Sequence, residues 1–189
     1  MHYPPENYYH IYNRGADGKR IFCQRENYRY FPRLLRFHLS HAAAELIAFC
    51  LMPNHYHLVV YLTREINFSN TLRAFTTAYV RSINNWYGRM GYLYQGTTQS
   101  KIVGEEEYLV HLCRYVHLNP VVSGLVASPE VWEFSDYREW ISETQSVQSS
   151  LVTKRGAYFR SGEEYRNFVE AYIADARVHR EIDRRKFGD

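Results

Sequence analysis

The sequence predicts an α+β fold: a ferredoxin-like split βαβ antiparallel sheet with helices on one or both faces, plus a helical C-terminal extension. Two observations carry this prediction. Strand-like runs and amphipathic segments alternate in the order strand, helix, strand, strand, helix, strand, helix, and the first six match the split βαβ order. A polar stretch then separates the last helix from another amphipathic segment. A chain of 189 residues suits one such domain with an appendage.

The first elements are a strand, a helix and a hairpin. The aromatic and β-branched run of residues 8–13 predicts a strand. Residues 26–40 repeat apolar side chains at spacings of three and four, which predicts a helix. Residues 45–52 and 56–62 are strand-like, and the turn-forming pair Pro53-Asn54 between them predicts a hairpin.

A long helix, a strand and a third helix complete the predicted domain. Residues 67–89 form the longest amphipathic segment, and residues 97–103 favour a strand. Residues 105–118 predict a helix whose early acidic residues suit the positive end of its dipole. Because Pro120 disfavours helical geometry at Asn119, we expect this helix to end there.

The predicted organisation is a main domain over residues 1–141, a linker over 142–152 and a basic helical extension over 153–189. Ser161 and Glu164 form a capping-box pattern at the start of the extension's apolar stripe. That stripe must cover either the main domain or a second chain, so a homodimer is one arrangement that the sequence allows.

Composition excludes several classes of protein. The net charge is only +3, and five basic against two acidic residues between 177 and 186 supply a local basic segment. The best apolar run, residues 42–52, is short and contains Glu45, and no signal peptide is visible. Three scattered cysteines favour a reducing compartment. We therefore expect a soluble, cytoplasmic protein with no membrane partner.

His55 and His57 are the first candidate site. Residues two apart on a strand point to the same face, so this pair offers half of a site for a divalent metal. Imidazole ligands by themselves favour zinc or another transition metal over magnesium. The spacing alone leaves an incidental pair as the alternative.

Tyr115 and Asn119 are the second candidate site. They lie one turn apart on the last helix of the main domain, where a packing role for Tyr115 is the alternative. His111 and His117, on the same helix, are expected to be packing or surface histidines. A metal half-site beside a tyrosine and an amide suits phosphoryl transfer, with a phenolate as the attacking group.

Several longer segments resemble one known family, the HUH-type single-tyrosine transposases, and in particular the REP-associated tyrosine transposase branch. The resemblance covers roughly residues 8–141, and its most specific segment is YLVHLCRYVHLNPVVSGLV, residues 108–126. The other segments are YHIYNRG (9–15), AFCLMPNHYHLVV (48–60), AFTTAYVRSINNWYGRMG (74–91) and LYQGTTQSKIV (93–103).

The resemblance implies a ferredoxin-like nuclease that cuts and rejoins single-stranded DNA, with hairpin-forming palindromic repeats as its partner. It implies that His55 and His57 bind the metal, Mg²⁺ or Mn²⁺, and that Tyr115 is the nucleophile, leaving a 5′-phosphotyrosine and a free 3′-hydroxyl. Asn119 matches the polar metal ligand, where insertion-sequence relatives carry the longer Gln.

Candidate DNA contacts are basic and aromatic. Phosphates are expected to meet Arg14, Lys19, Arg20, Arg73, Arg81 and Lys101, of which Arg73 and Arg81 share one face of the long helix. A solvated strand-end lysine is the alternative for Lys101. Tyr92, Tyr94 and Trp86 are able to stack on unpaired bases, although core packing is the expected role of Trp86.

Two other functions remain open at this point. One is a domesticated hairpin-binding protein that no longer cuts, although it would have no need for the complete set of His55, His57, Tyr115 and Asn119. The other is a metal-dependent hydrolase in which the two histidines activate water. The hydrolase is disfavoured because no third His, Asp or Glu sits at a motif-like spacing.

Overall fold

The computed structural model describes residues 2–104, 106–142 and 156–178. The strands are β1 (Asn7–Arg14), β2 (Ala44–Met52), β3 (His55–Leu62) and β4 (Gln99–Val103). The helices are α1 (Arg25–Ser40), α2 (Phe68–Tyr87), α3 (Glu106–Val122), α4 (Tyr137–Ile141), α5 (Gly162–Glu170) and α6 (Ile173–Val178). Short 3₁₀ turns cover Ala16–Gly18 and Pro129–Val131.

The strands form one antiparallel sheet in the order β2-β3-β1-β4. This is the ferredoxin-like arrangement, because each helical connection carries the chain over a strand that lies between the two it joins. The predicted fold class is confirmed. Strand β3 lies inside the sheet, hydrogen-bonded to β1 on one side and to β2 on the other, so its side chains have well-fixed positions.

Each face of the sheet carries its own hydrophobic core. Helices α1 and α2 cover the face that holds Ile11 and Leu58. Helix α3, together with α4, α5 and α6, covers the opposite face, which holds Ile47 and Val59. Tyr56 and Leu58 belong to the core that α1 and α2 cover. Because side chains alternate along a strand, the ring of His57 between them points to the face that α3 covers.

The ends of α2 follow local capping rules. The Asn67 side chain accepts a hydrogen bond from the backbone N–H of Asn70 and so caps the first turn. Gly88 ends the helix in the left-handed conformation, with φ of 57°, which glycine adopts without steric penalty. Both ends lie within two residues of the predicted ones.

Helix α3 corrects one sequence prediction. Pro120 lies inside the helix, which continues to Val122 instead of ending at Asn119. Proline removes only its own backbone N–H donor, and its carbonyl oxygen still accepts a bond from Leu125, at 2.9 Å. The Asn119 carbonyl likewise accepts a bond from Ser123, at 2.9 Å, so the last turn is satisfied despite the proline.

The C-terminal extension packs on α3 of the same chain. The Ser161 hydroxyl accepts a hydrogen bond from the Glu164 backbone N–H, which confirms the predicted N-cap of α5. Tyr165, Val169 and Ala176 are buried against α3 and α4, so the apolar stripe covers the main domain. The predicted linker and the basic segment beyond residue 178 lie almost wholly outside the described residues. Among the described helices, none is long and apolar enough to cross a bilayer.

Candidate active site

Two histidines of β3 face helix α3. His55 opens the strand and His57 follows two residues later, and their ring centroids lie 5.1 Å apart. His57 is fully buried and His55 is nearly so. Both imidazoles therefore sit on a strand that has hydrogen-bonded neighbours on each side, which limits their movement.

Helix α3 brings the tyrosine and the amide to this pair. The Tyr115 ring meets the His57 ring edge to face, with centroids 5.4 Å apart, and its hydroxyl oxygen is buried. One turn later, the Asn119 Oδ1 atom lies 3.5 Å from His55 Nε2. The pair on β3 and the pair on α3, about sixty positions apart in the chain, thus lie together in one cluster.

The hydrogen bonds of His55 indicate which of its ring nitrogens is available to a metal. Its Nδ1 lies 2.8 Å from Asn54 Oδ1, and the Asn54 amide nitrogen donates in turn to the Gly18 carbonyl, which fixes the orientation of the amide. In the neutral tautomer whose Nδ1–H donates to Asn54, Nε2 carries a lone pair on the side of Asn119 Oδ1. That nitrogen and that oxygen could together hold a cation.

A third imidazole, from His10 of β1, adjoins this cluster. His10 is 1% exposed, and its Nε2 atom lies 3.0 Å from Nδ1 of His57. The strand period places His10 on the same sheet face as Tyr12, but the sequence gives no β1–β3 register, so its contact with His57 was missed. Among the described residues, no three His, Cys, Asp or Glu side chains form a group that could hold a metal ion.

The surroundings keep His57 neutral. Burial lowers the pKa of His57 well below its usual value, and electrostatic interactions with His55, His10 and Arg14 lower that pKa further. A neutral imidazole is the form that binds a metal. Arg14 pairs with His55 in the sheet and lines cavities of about 340 and 450 Å³ beside it, so it adds positive charge at the entrance to the cluster.

Comparison with known proteins identifies the family. The family model described as "Transposase IS200 like" matches residues 6–119, which is more than half of the chain. The chain belongs to the IS200-like transposase family. No curated protein matches this transposase.

One solved structure shares the fold of this IS200-like transposase, and a second is less similar. A REP-associated tyrosine transposase bound to a REP hairpin has a TM-score of 0.65 at 15% identity, over 76% of this chain and 83% of that one. A protein assigned as a transposase from Deinococcus radiodurans R1 has a TM-score of 0.46 at 18% identity, over 60% of this chain and 91% of that one.

The basic residues of the transposase fall into two groups. Arg14 and Arg20 line one cavity together with His55, next to the histidine cluster. Arg73 and Arg81 are exposed on one face of α2 and line a separate groove, on the other side of the sheet. The remaining two differ in setting: Lys19 forms an exposed ion pair with Asp17, whereas Lys101 is exposed on β4, opposite His10.

The aromatic candidates for base stacking require two corrections. Tyr94 is 8% exposed, and its ring packs edge to face on Tyr56, so it is not available to a base. Trp86 is 51% exposed in the last turn of α2, where Tyr30 of α1 packs against it. The expectation that Trp86 is a core residue was therefore wrong. Tyr92 is 91% exposed and is open to stacking.

A buried polar network anchors α3 from its other side. His117 Nε2 lies 3.0 Å from Asp136 Oδ1, and His117 Nδ1 lies 2.6 Å from the hydroxyl of Tyr165 in α5. Asp136 also accepts hydrogen bonds from the Phe49 backbone N–H of β2 and from the Trp140 indole. The predicted packing role of His117 is confirmed. Since His117 lies midway between Tyr115 and Asn119, this network fixes the helix turn that carries both.

Proposed function

We propose that this transposase cuts and rejoins single-stranded DNA through a covalent bond between Tyr115 and a 5′ phosphate. The observation that carries the proposal is the edge-to-face contact of the Tyr115 ring with the buried His57, at 5.4 Å between centroids. A tyrosine beside two imidazoles and an amide oxygen provides both a nucleophile and a site for the cation that phosphoryl transfer uses.

The cation is proposed to be Mg²⁺ or Mn²⁺, held by His55, His57 and Asn119. The Asn119 amide oxygen suits these hard cations better than a site made of imidazoles alone would. When bound, the cation supplies charge stabilisation at the non-bridging oxygens of the scissile phosphate. The hydrogen bonds that His55 and His57 make to Asn54 and His10 keep the two ligands in position.

Tyr115 is the residue of this chain that forms the covalent bond to DNA. Its phenolic oxygen bonds to phosphorus as the bond from phosphorus to the 3′ oxygen breaks. The phenol loses one proton and the departing 3′ oxygen gains one, so the products are a 5′-phosphotyrosine and a 3′-hydroxyl. Because one phosphodiester bond replaces another of similar energy, a 3′-hydroxyl is able to reverse the step and rejoin a strand without a nucleotide cofactor.

The proposed substrate is single-stranded DNA with a hairpin, such as a palindromic repeat. The solved transposase of similar fold is bound to a REP hairpin, which supports a related substrate here. Arg14 and Arg20, beside the histidine cluster, are proposed to hold phosphates near the scissile bond. Arg73 and Arg81 lie on the other side of the sheet, where they suit a more distant part of the strand.

The test is covalent trapping. Purified protein is mixed with labelled hairpin DNA and Mn²⁺ and run on a denaturing gel, beside Tyr115→Phe and the matched control Tyr108→Phe from the same helix. The proposal expects a labelled band at the size of the protein in the parent and in the control, and none in Tyr115→Phe.

Other results have distinct meanings. Cut DNA with a 5′ phosphate and no labelled protein would identify a hydrolase. Tight binding of the hairpin without any cut, under every divalent cation tried, would identify a binding protein without turnover. Undiminished cutting by Tyr115→Phe would remove Tyr115 from the mechanism.

A further inference from the structure

The ring of His57 contacts Tyr115 of α3 and also reaches β1. Its Nδ1 atom lies 3.0 Å from His10 Nε2. The planes of the two rings differ by 20°, and their centroids are 5.2 Å apart, which fits a hydrogen bond directed from ring edge to ring edge. Both side chains are almost completely buried, so water does not replace this bond easily.

A hydrogen bond between two imidazoles has a direction. When Nδ1–H of His57 donates, His10 Nε2 accepts, and His57 Nε2 is left with a lone pair. When the proton lies on His10 Nε2 instead, the neutral His57 carries its own proton on Nε2, which blocks metal binding there. The direction of this one bond therefore decides whether His57 is a ligand.

We propose that His10 is a positioning residue that accepts the Nδ1–H proton of His57 and so holds His57 in the tautomer that binds metal. This inference rests on the proposed metal site. His10 does not form a three-residue metal-binding group with His55 and His57, since no such group of His, Cys, Asp or Glu occurs among the described residues. Outer partners of this kind orient a metal-bound histidine and fix its tautomer.

His55 has an equivalent arrangement with a different acceptor. Its Nδ1 atom bonds to Asn54 Oδ1 at 2.8 Å, in the turn between β2 and β3. Each imidazole of the pair thus has a separate acceptor behind it, one from the hairpin turn and one from β1. A change at His10 is expected to affect His57 and to leave the tautomer of His55 unchanged, which provides an internal control.

Two substitutions separate the acceptor from the bulk of the His10 side chain. His10→Gln keeps a polar group near the place of Nε2, and its amide oxygen is able to accept the His57 proton. His10→Leu fills similar space without an acceptor. Thermal unfolding of both variants identifies any that fails to fold.

The first measurement is Mn²⁺ affinity of the full chain without DNA, from the electron paramagnetic resonance of free Mn²⁺. His10→Leu is expected to bind about 10–100-fold more weakly than the parent, the usual effect of removing an outer partner. His10→Gln is expected to recover most of the loss. Equal affinity of the parent and a folded His10→Leu would overturn the proposal, and so would a Gln variant as weak as the Leu variant.

The second measurement is the tautomer itself, in metal-free protein with ¹⁵N-labelled histidine. Long-range proton–nitrogen correlation spectra are expected to show the Nδ1–H form of His57 in the parent and in His10→Gln, and a shift toward Nε2–H in His10→Leu. The spectrum of His55 is expected to stay the same. A parent protein with His57 in the Nε2–H form would contradict the proposed direction of the bond.

The two proposals fail in different ways. If the parent protein binds no Mn²⁺, the metal site itself is refuted, and the inference about His10 falls with it. If the parent binds Mn²⁺ and traps DNA on Tyr115 while His10→Leu binds the ion equally well, only the role of His10 is refuted.

Discussion

Tyr165→Phe tests how firmly the C-terminal extension is anchored to helix α3. The hydroxyl of Tyr165 lies 2.6 Å from His117 Nδ1, and both side chains are completely buried. Burial raises the pKa of Tyr165 well above its usual value, so the group remains a neutral phenol. The substitution keeps the ring, with its contacts to Trp140 and Phe159, and removes only the hydrogen bond.

The expected loss follows from the group left behind. Without the hydroxyl, the Nδ1 atom of His117 loses its hydrogen bond, and because the side chain is buried, water cannot take the place of Tyr165. Leaving a buried polar atom without its partner costs about 1–3 kcal/mol. For a chain of this size, 1 kcal/mol corresponds to about 2–4 °C in Tm, so Tyr165→Phe is expected to melt about 2–12 °C lower.

Tyr94→Phe is the matched control. Its ring is also buried, but its hydroxyl oxygen has no hydrogen-bond partner among the residues that the structure describes. Removing that hydroxyl is expected to leave the free energy of unfolding within about 0.5 kcal/mol of the parent, or to raise it. Urea unfolding followed by circular dichroism compares the three proteins. Equal losses in the two variants would refute the argument, because the loss would then come from the ring environment and not from the bond to His117.

Three further predictions concern the docking of the extension, DNA binding and acid stability. Gly162→Ala is expected to lower the free energy of unfolding by about 1–3 kcal/mol, because the new Cβ would lie 2.3 Å from the carbonyl oxygen of Ile141; an unchanged urea midpoint would contradict the close approach. Replacing Arg73 and Arg81 together by Ala is expected to reduce the slope of log K against log salt for single-stranded DNA by about 0.7 per arginine, and fluorescence anisotropy at several salt concentrations would reveal an unaltered slope if neither meets a phosphate. In metal-free protein, the lowered pKa of His57 means that, as pH falls, this side chain is protonated in the unfolded state before it is protonated in the folded state. The free energy of unfolding is therefore expected to fall as pH drops below 6.5, by up to about 1.4 kcal/mol per pH unit. His57→Gln should flatten that profile, and a profile equally steep in the variant would assign the acid sensitivity to other groups.

Much of the fold was predictable because each element carries its own period. Apolar spacings of three and four mark α1 and α2, and Pro53-Asn54 marks the hairpin between β2 and β3. Element ends depend on single interactions and were less predictable. Helix α3 continues through Pro120 to Val122, and the carbonyl groups of Asn119 and Pro120 still accept backbone hydrogen bonds from Ser123 and Leu125, which no local pattern reveals.

The cluster itself was only partly predictable. His55 and His57 share a face by strand geometry, and Tyr115 and Asn119 share one by helix geometry, so each pair is visible in the sequence. The contact between the two pairs depends on how α3 crosses the sheet. No local pattern predicts that crossing, so the expected cluster rested on the resemblance to a known family. His10 was missed because its contact with His57 depends on strand register, a long-range property.

The two edges of the sheet end differently. Along β2, the segment around Ser135 adds backbone hydrogen bonds, such as that from the Leu51 N–H to the Phe134 carbonyl, and closes this edge. The edge at β4 has no strand beside it among the described residues, and Ile102 is largely exposed there. A bare edge invites strand addition from a neighbouring molecule, and a lysine in a short edge strand opposes it by charge. Lys101 is exposed on this short strand, so its charge is of the kind that opposes such addition.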